Sequence, residues 1–514
     1  MKPFQAPLSD ILFSLDHVAG ASALPEWDSE FAGELGGHFA GFAEGEIAPL
    51  DESGDMQGCA LRDGRVVMPD GFADVYAAYA EQGWPSLTAP EEYGGQGLGA
   101  LMLAITSEVF SGANHSLQMV TGLVPGAIRT LMRFGTDAQK ASHIPPLASG
   151  ETLATMCLTE PNAGSDLSVV RCKATPNGTS WQISGEKIFI SGGDQNMSAQ
   201  ILHLVLARTS DEGVKGLSLF LCPSTRSDGT RNAVSVTRIE EKMGLHASPT
   251  CQLAFDGAEA ELIGKEGQGL MAMFTMMNHA RADVALQGVA HAARAYDIAS
   301  SYAAERTQGR GADGAAVTLD QHADVRRMLD EIDALAIGGR ALAHLACVTM
   351  EIGQDPQLVE FLTPVAKVYC TEAGMRAAEL GMQVLGGYGY LREYRIEQTY
   401  RDARITAIYE GANGIHERVL ATRLANGAAG DAFESFVQGD ASNSGSEAIA
   451  ETLDAWREMR AALGNASDPS KLAHRFMQAS TDAILACLWE RVDAAKAHHP
   501  DPERLKRVVT HHRS

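Results

Sequence analysis

The chain has 514 residues, 45% hydrophobic and 21% charged. That balance excludes disorder as the main state and gives room for about two to four domains. The formal charge of −24 argues against a nucleic-acid binder and a peripheral protein of acidic membranes, which need basic surfaces, but leaves room for a small anionic ligand held by a few local cations.

The segment Met1 to Asp10 has one Lys, two Pro and no apolar run after it, so no signal peptide is expected. Residues 1–155 read mostly helical, broken by a turn-rich patch from Glu91 to Gly99. From Cys157 to Leu262 short apolar or alternating runs (Ile188-Phe189-Ile190, Ile201 to Ala207, Leu217 to Leu221, Leu253 to Phe255) are separated by Gly, Asp, Asn and Pro. They predict a small β barrel or sandwich. Helical periodicity returns at Gly269, with helices near Ala282 to Arg306, Val325 to Val348 and Pro364 to Leu380, the last with its Pro in the first turn. Gly427 to Gly445, rich in Gly, Ala, Ser and Asp, reads as a linker. Two amphipathic helices follow, carrying Leu453, Trp456 and Leu463, then Phe476, Ile484 and Leu488. The expected class is α+β, in segregated domains: 1–155 helical, 156–268 β, 269–426 helical and 446–514 an extra helical tail. No run of about 18 apolar residues is present, so no membrane span is expected. The eight cysteines form no CxxC pair and fit reduced, core-filling thiols of a cytoplasmic protein. The tail pairs His498-His499 and His511-His512 lack a spaced carboxylate or Cys partner, so no metal site is expected.

Three runs carry chemistry. Met156-Cys157-Leu158-Thr159-Glu160-Pro161-Asn162-Ala163-Gly164-Ser165-Asp166 is a turn of small residues with N–H groups and hydroxyls. It suits a phosphate or the polar rim of a flat heterocycle, or is a plain surface turn. Gln383-Val384-Leu385-Gly386-Gly387-Tyr388-Gly389-Tyr390 follows a helix; its glycines allow close backbone approach to a ligand, or cap the helix. In Ile408-Tyr409-Glu410-Gly411-Ala412-Asn413-Gly414 a lone carboxylate precedes a small-residue turn. Such a carboxylate is either solvated or held in a dry cleft with its pKa raised toward neutrality.

These runs, with Glu91 to Gly99, Leu262 to Gly269 and Glu305 to Arg310, resemble the acyl-CoA dehydrogenase family of flavoproteins across roughly Ala60 to Ala425. The Phe4 to Leu8 entry, the Ser191-Gly192-Gly193-Asp194 turn and the added C-terminal helices look most like the branch that contains 3-methylmercaptopropionyl-CoA dehydrogenases of dimethylsulfoniopropionate breakdown. The resemblance implies a helical N-terminal domain, a middle β barrel and a C-terminal four-helix bundle. It implies FAD lined by Met156, Leu158, Thr159, Gly164, Ser165, Phe189, Ile190 and Ser191. Arg306, Gln308, Gln383, Gly386 and Gly387 match positions that reach a neighbouring subunit's FAD, which implies a homodimer or homotetramer; Ala412, Asn413 and Gly414 match the loop over its adenosine. Phe189 stands where the family usually has Trp, and Ala412 and Gly414 where it often has Thr and Gln. Ser165, Asn278, Arg281 and Gly411 match acyl-CoA contacts.

Glu410 matches the family's catalytic base. The other place where members carry that base is Ala280 here, which cannot accept a proton. The implied reaction is α,β-dehydrogenation of an acyl-CoA to the 2-enoyl-CoA: Glu410 takes the α-proton, the Glu410 N–H and a ribityl hydroxyl hold the thioester oxygen, the β-hydride passes to flavin N5, and an electron-transfer flavoprotein reoxidises the cofactor. An acyl-CoA oxidase using oxygen is the alternative enzyme reading. A DNA-protecting flavoprotein relative is a second alternative, opposed by the negative charge and the intact Glu410 run.

Overall fold

Contiguous apolar runs pair into strands wherever glycine and asparagine turns bring them side by side. In the computed structural model, which describes residues 2–513 but not the side chain of Asn278, contacts divide the chain into two compact units. One comprises residues 46–99 and 114–280, the other residues up to 45, 100–113 and 281 onward.

The first unit opens with a hairpin the sequence reading did not contain: Ala60–Arg62 (β1) pairs antiparallel with Arg65–Val67 (β2). Asp63 and Gly64, both at positive φ, supply its two-residue turn. Seven strands then follow: Thr152–Cys157 (β3), Lys173–Asn177 (β4), Ser180–Ser191 (β5), Gln200–Arg208 (β6), Leu217–Pro223 (β7), Val234–Ile239 (β8) and Thr250–Ile263 (β9). The order β6-β4-β5-β9-β7 closes through a β6–β7 pairing, with β3 on β6 and β8 on β9. This is the expected barrel, beginning a few residues before the Cys157 read from sequence. In β6 the seven residues from Ile201 to Ala207 are all buried, the continuous apolar pattern of a strand covered on both faces. β5 and β9 alternate more, as strands with one wet face do.

The second unit is helical apart from a small hairpin, Thr307–Arg310 (β10) on Ala316–Thr318 (β11). Its long helices are Gly269–Glu305, which enters it at Arg281, then Ala323–Ile352 and Pro356–Leu385. The first and third run longer than expected. The third starts at Asp355, whose side chain accepts from the Leu358 N–H, with Pro356 in the first turn. Pro364 therefore lies inside the helix, contrary to the expectation that it opens it. The apolar run from Leu358 to Phe361 and Leu362, all buried, carries the helix back past the proline.

The expected linker is a helix, Ala428–Ser444. Phe433, Val437 and Ala441 recur every fourth residue and are buried, and Phe433 stacks on Phe361 with ring centroids 4.3 Å apart. Small residues here allow close helix packing rather than a loose connection. The later helices Glu447–Asn465, Ala473–Ala495 and Pro502–Arg513 share this core: Leu453, Trp456, Phe476, Ile484 and Val508 cluster with Leu342, Phe361 and Leu420. The chain after 446 is thus built into the bundle. His498 stacks on His17, and His499 Nε2 donates to Asp10 Oδ1 at 2.8 Å. Among the described residues one helix, Ala323–Ile352, is long and apolar enough to cross a membrane, but 67% of its apolar window is buried inside the protein, as in a core helix. All eight cysteines are free thiols, six of them buried.

Candidate active site

In the barrel unit, the Met156–Ser165 run leaves β3 and is tied to the β5 strand. Lys187, fully buried, donates to Leu158 O at 2.8 Å and Glu160 Oε1 at 2.9 Å. Glu160 also accepts the N–H groups of Arg171 and Cys172, so its carboxylate is well paired although buried. The Ile188 N–H donates to Thr159 O at 2.9 Å. The β5–β9 register shifts between Lys187 and Ile190, and Phe189 sits in this bulge at φ +58° with its ring 60% exposed. An aromatic ring held out to solvent on strained backbone marks a ligand surface more than a packing position. Thr159, Met156 and Ser191 are half-buried, and Gly164 and Ser165 are exposed on the turn. Leu158 and Ile190 bury their side chains, so they can offer a ligand only backbone. Asn278, matched to a substrate contact, has its side chain outside the described residues.

In the helical unit, Gln383 is exposed at the end of the Pro356–Leu385 helix, and Gly386 turns the chain at φ +60°. A Cβ at Gly386, Gly387 or Gly414 would meet nothing within 4 Å. Arg306 and Gln308 are exposed, and the Arg306 guanidinium lies 5.8 Å from the Tyr388 ring centre. Within the helical unit, open backbone at Gly386, Gly387 and Gly414 and the exposed Arg306 suit a phosphate-bearing tail; within the barrel unit, the exposed Phe189 ring suits a flat ring system.

The Glu410 segment has a different character. Glu410 adopts φ +54°, unusual for a side chain with a Cβ, and its Oε2 is buried with no hydrogen-bond partner among the described residues. Burial pushes its carboxyl up to about 7; Arg281 and Lys367 pull down, and Asp283 pushes up. His416 Nε2 lies 3.1 Å from Glu410 O. It also lies 2.7 Å from where a Cβ on Gly411 (φ +94°) would stand, so this position requires glycine. Lys367 Nζ donates to Gly411 O at 2.9 Å and Asn413 Oδ1 at 2.8 Å. The Asn413 amide donates to Thr371 Oγ1 at 3.2 Å and Glu372 Oε1 at 3.1 Å. Tyr409 bonds Gln287, whose Nε2 donates to Asp283 Oδ2 at 3.0 Å.

The structure thus places the predicted catalytic residue on strained backbone, half-buried with Oε2 out of solvent, and burial raises its carboxyl toward neutrality. It brings Arg281, Gly411, Ala412 and Asn413 into the same unit as Glu410, but commits the Asn413 side chain to the protein's own helix. Lys367, Asp283, Gln287 and His416 were missed by sequence reading. Lys367 stands 44 residues from Gly411, and no local pattern signals the pairing.

A barrel with an exposed aromatic bulge, and a helical bundle with a half-buried carboxylate, define the architecture of a flavin-dependent acyl-CoA oxidoreductase. The family models for the acyl-CoA dehydrogenase N-terminal, middle and C-terminal domains match residues 34–151, 155–258 and 267–425. The chain belongs to the acyl-CoA dehydrogenase family. The 3-methylmercaptopropionyl-CoA dehydrogenase of Ruegeria pomeroyi is 42% identical over 450 residues, covering 82% of this chain and 76% of its own length. Butyryl-CoA dehydrogenase from Megasphaera elsdenii superposes with a TM-score of 0.67 at 25% identity, over 77% of this chain and 98% of that one. Caenorhabditis elegans ACDH-11 in complex with C11-CoA, at 18% identity, shares the fold alone: TM-score 0.84 over 99% of this chain and 91% of its own.

Proposed function

We propose that the protein is an FAD-dependent dehydrogenase that converts an acyl-CoA thioester to its 2-enoyl-CoA, with Glu410 as the base. The observation that carries the assignment is the Glu410 carboxyl: its Oε2 is buried and unpartnered among the described residues, and burial pushes the group up to about 7. The α-proton of a thioester is weakly acidic, and a carboxylate with little competing water and a pKa near neutrality is a better acceptor for it than a solvated one. The Glu410 N–H, next to the strained turn, is the protein's own donor for the thioester oxygen as enolate character develops. The Met156–Ser165 turn and the Phe189 bulge are the barrel unit's candidates to hold FAD, Ala412-Asn413-Gly414 the helical unit's, and Gly386-Gly387 its candidates toward a neighbouring subunit's FAD; bound FAD would supply the acceptor for the β-hydrogen and its electron pair. Arg281 meets the acyl-CoA and holds positive potential near the base.

Similarity to the Ruegeria pomeroyi enzyme favours 3-methylmercaptopropionyl-CoA, or a short- to medium-chain acyl-CoA, as substrate. We read an electron-transfer flavoprotein as the acceptor, a homodimer or homotetramer as the assembly, because Arg306, Gln308 and Gln383 face outward as completing residues would, and the cytoplasm as the compartment, in keeping with eight free thiols.

The test is Glu410→Gln, which keeps the shape but accepts no proton. FAD content and acyl-CoA binding stay near wild type, while anaerobic flavin reduction by 3-methylmercaptopropionyl-CoA or butyryl-CoA slows by at least roughly 10²–10⁴-fold. Bleaching as fast as wild type would remove Glu410 from the role.

A further inference from the structure

We propose that Lys367 and Asn413 form a clamp that positions Glu410: the Lys367 ammonium, buried inside the Pro356–Leu385 helix, holds the turn after Glu410 through Gly411 O and Asn413 Oδ1. The proposal rests on the reading of Glu410 as the base.

Three observations carry it. First, Lys367 is 0% exposed, yet spends its hydrogen bonds on a turn rather than on a carboxylate. An ammonium taken out of water is costly unless its donors are used well; here both named acceptors belong to the segment Gly411 to Asn413. Second, that segment is strained: Glu410 at φ +54° and Gly411 at φ +94° stay in the left-handed region only if contacts from outside hold them there. The outside contacts on this turn are Lys367 on Gly411 O and His416 Nε2 on Glu410 O. Third, Asn413 is locked from its other end. Its amide N–H groups reach Thr371 Oγ1 and Glu372 Oε1 on the next turn of the Lys367 helix, so Lys367, Thr371 and Glu372 grip one side chain. The Asn413 side chain, matched by resemblance to the cofactor loop, is thereby assigned to the base's support instead.

The clamp has a second effect. The charged and titratable groups that act on Glu410 are Arg281 and Asp283 on one helix and Lys367 on another, with His416 on Glu410 O and Tyr409 adjacent in the chain; Glu372 acts on Lys367. Lys367 is one of the two cations that draw the Glu410 carboxyl down, and its own ammonium is lowered to about 8 by burial, with Glu410 opposing. Lys367 does not touch the reacting atoms; it is a positioning residue.

The experiment compares Lys367→Met, Lys367→Arg and Asn413→Ala with wild type and Glu410→Gln, all as purified flavoprotein. Two quantities are read: the rate of anaerobic flavin reduction by a saturating acyl-CoA across pH 5–9, and the infrared carboxyl titration of Glu410, taken as each protein minus its Glu410→Gln double. Lys367→Met should slow reduction at least tenfold with little change in acyl-CoA affinity. It should also move the acid limb and the infrared titration upward by about one pH unit or more, the scale expected on losing a nearby opposite charge. Asn413→Ala keeps the charge and loosens the turn, so it should slow reduction severalfold without moving the titration. Lys367→Arg should restore the titration but only part of the rate, since a planar guanidinium cannot place both bonds alike.

A Lys367→Met protein with wild-type rate and titration overturns the proposal. So does Asn413→Ala with unchanged rate. If Lys367→Met does not fold, Asn413→Ala and Lys367→Arg decide: an unchanged rate in either overturns the clamp, and slowed reduction in both supports it. Should Glu410→Gln itself reduce flavin normally, the base assignment falls instead, and the two failures are thereby told apart.

Discussion

Glu410→Gln makes a prediction about stability that is independent of turnover. The Glu410 carboxyl binds its proton at about 7 in the folded chain against an ordinary value of 4.5. The folded pKa is raised, so the favourable contribution is complete below about pH 4.5 and is lost as pH rises through about 7. The difference of about 2.5 pH units, at 1.36 kcal/mol each, means that the ionised carboxylate destabilises the fold by about 3 kcal/mol at pH 8. Glutamine stands in for the protonated acid at every pH. The variant is therefore expected to match wild type near pH 4.5 and to exceed it by about 3 kcal/mol at pH 8. The trend is that of an active site held against the stability of its own fold. Denaturant unfolding at a fixed excess of FAD, at both pH values, measures it; fixed flavin keeps ligand linkage equal in the two proteins. A variant no more stable than wild type at pH 8, or one whose advantage does not change with pH, would refute the burial argument for Glu410.

Gly411→Ala puts a methyl 2.7 Å from His416 Nε2 on backbone at φ +94°. We expect a loss of about 1–3 kcal/mol of stability together with slowed flavin reduction, measured by denaturation and stopped flow on the same preparation. Lys187→Met removes the buried cation of Glu160 and leaves the carboxylate with only backbone donors. A loss of about 3–5 kcal/mol is expected, with weaker FAD retention on gel filtration because the Thr159 turn loses its anchor; full FAD occupancy and unchanged denaturation would count against that anchoring role.

The parts of this molecule that were legible in the sequence are those fixed by local pattern. The β segment was readable because glycine and asparagine turns punctuate apolar runs short enough to be strands. Glu410 was singled out by its match to the family's run, since the local pattern alone left a solvated side chain open. The Ala428–Ser444 helix was not, because Ala, Gly and Ser look like a linker until Phe361 and Trp456 are present for Phe433 to pack on. Pro364 misled for a related reason: a proline usually opens a helix, but here buried Leu358, Phe361 and Leu362 carry the helix through it. The support of the base was the least legible, since Lys367, Asp283 and Gln287 meet the Glu410 segment only through tertiary folding, over separations of 44 residues for Lys367 to Gly411 and 122 for Gln287 to Tyr409.

The ends of the chain meet inside the helical unit. Arg504 grips Asp10 and Asp333, and His499 also reaches Asp10; the two termini are thereby tied across 494 residues of sequence. For a chain made from its N-terminus, this sets an order of events. Residues 46–99 and 114–280 hold every strand of the barrel and can close while synthesis continues. The helix at Leu8–Phe13 must wait, its Asp10 carboxylate without the arginine that matches it, until Arg504 has been made 494 residues later, about 25–100 s at about 5–20 residues per second. During that interval Phe13 and Val18 lack the later members of their core cluster, such as Ile337 and Val492, that pack with them in the folded chain.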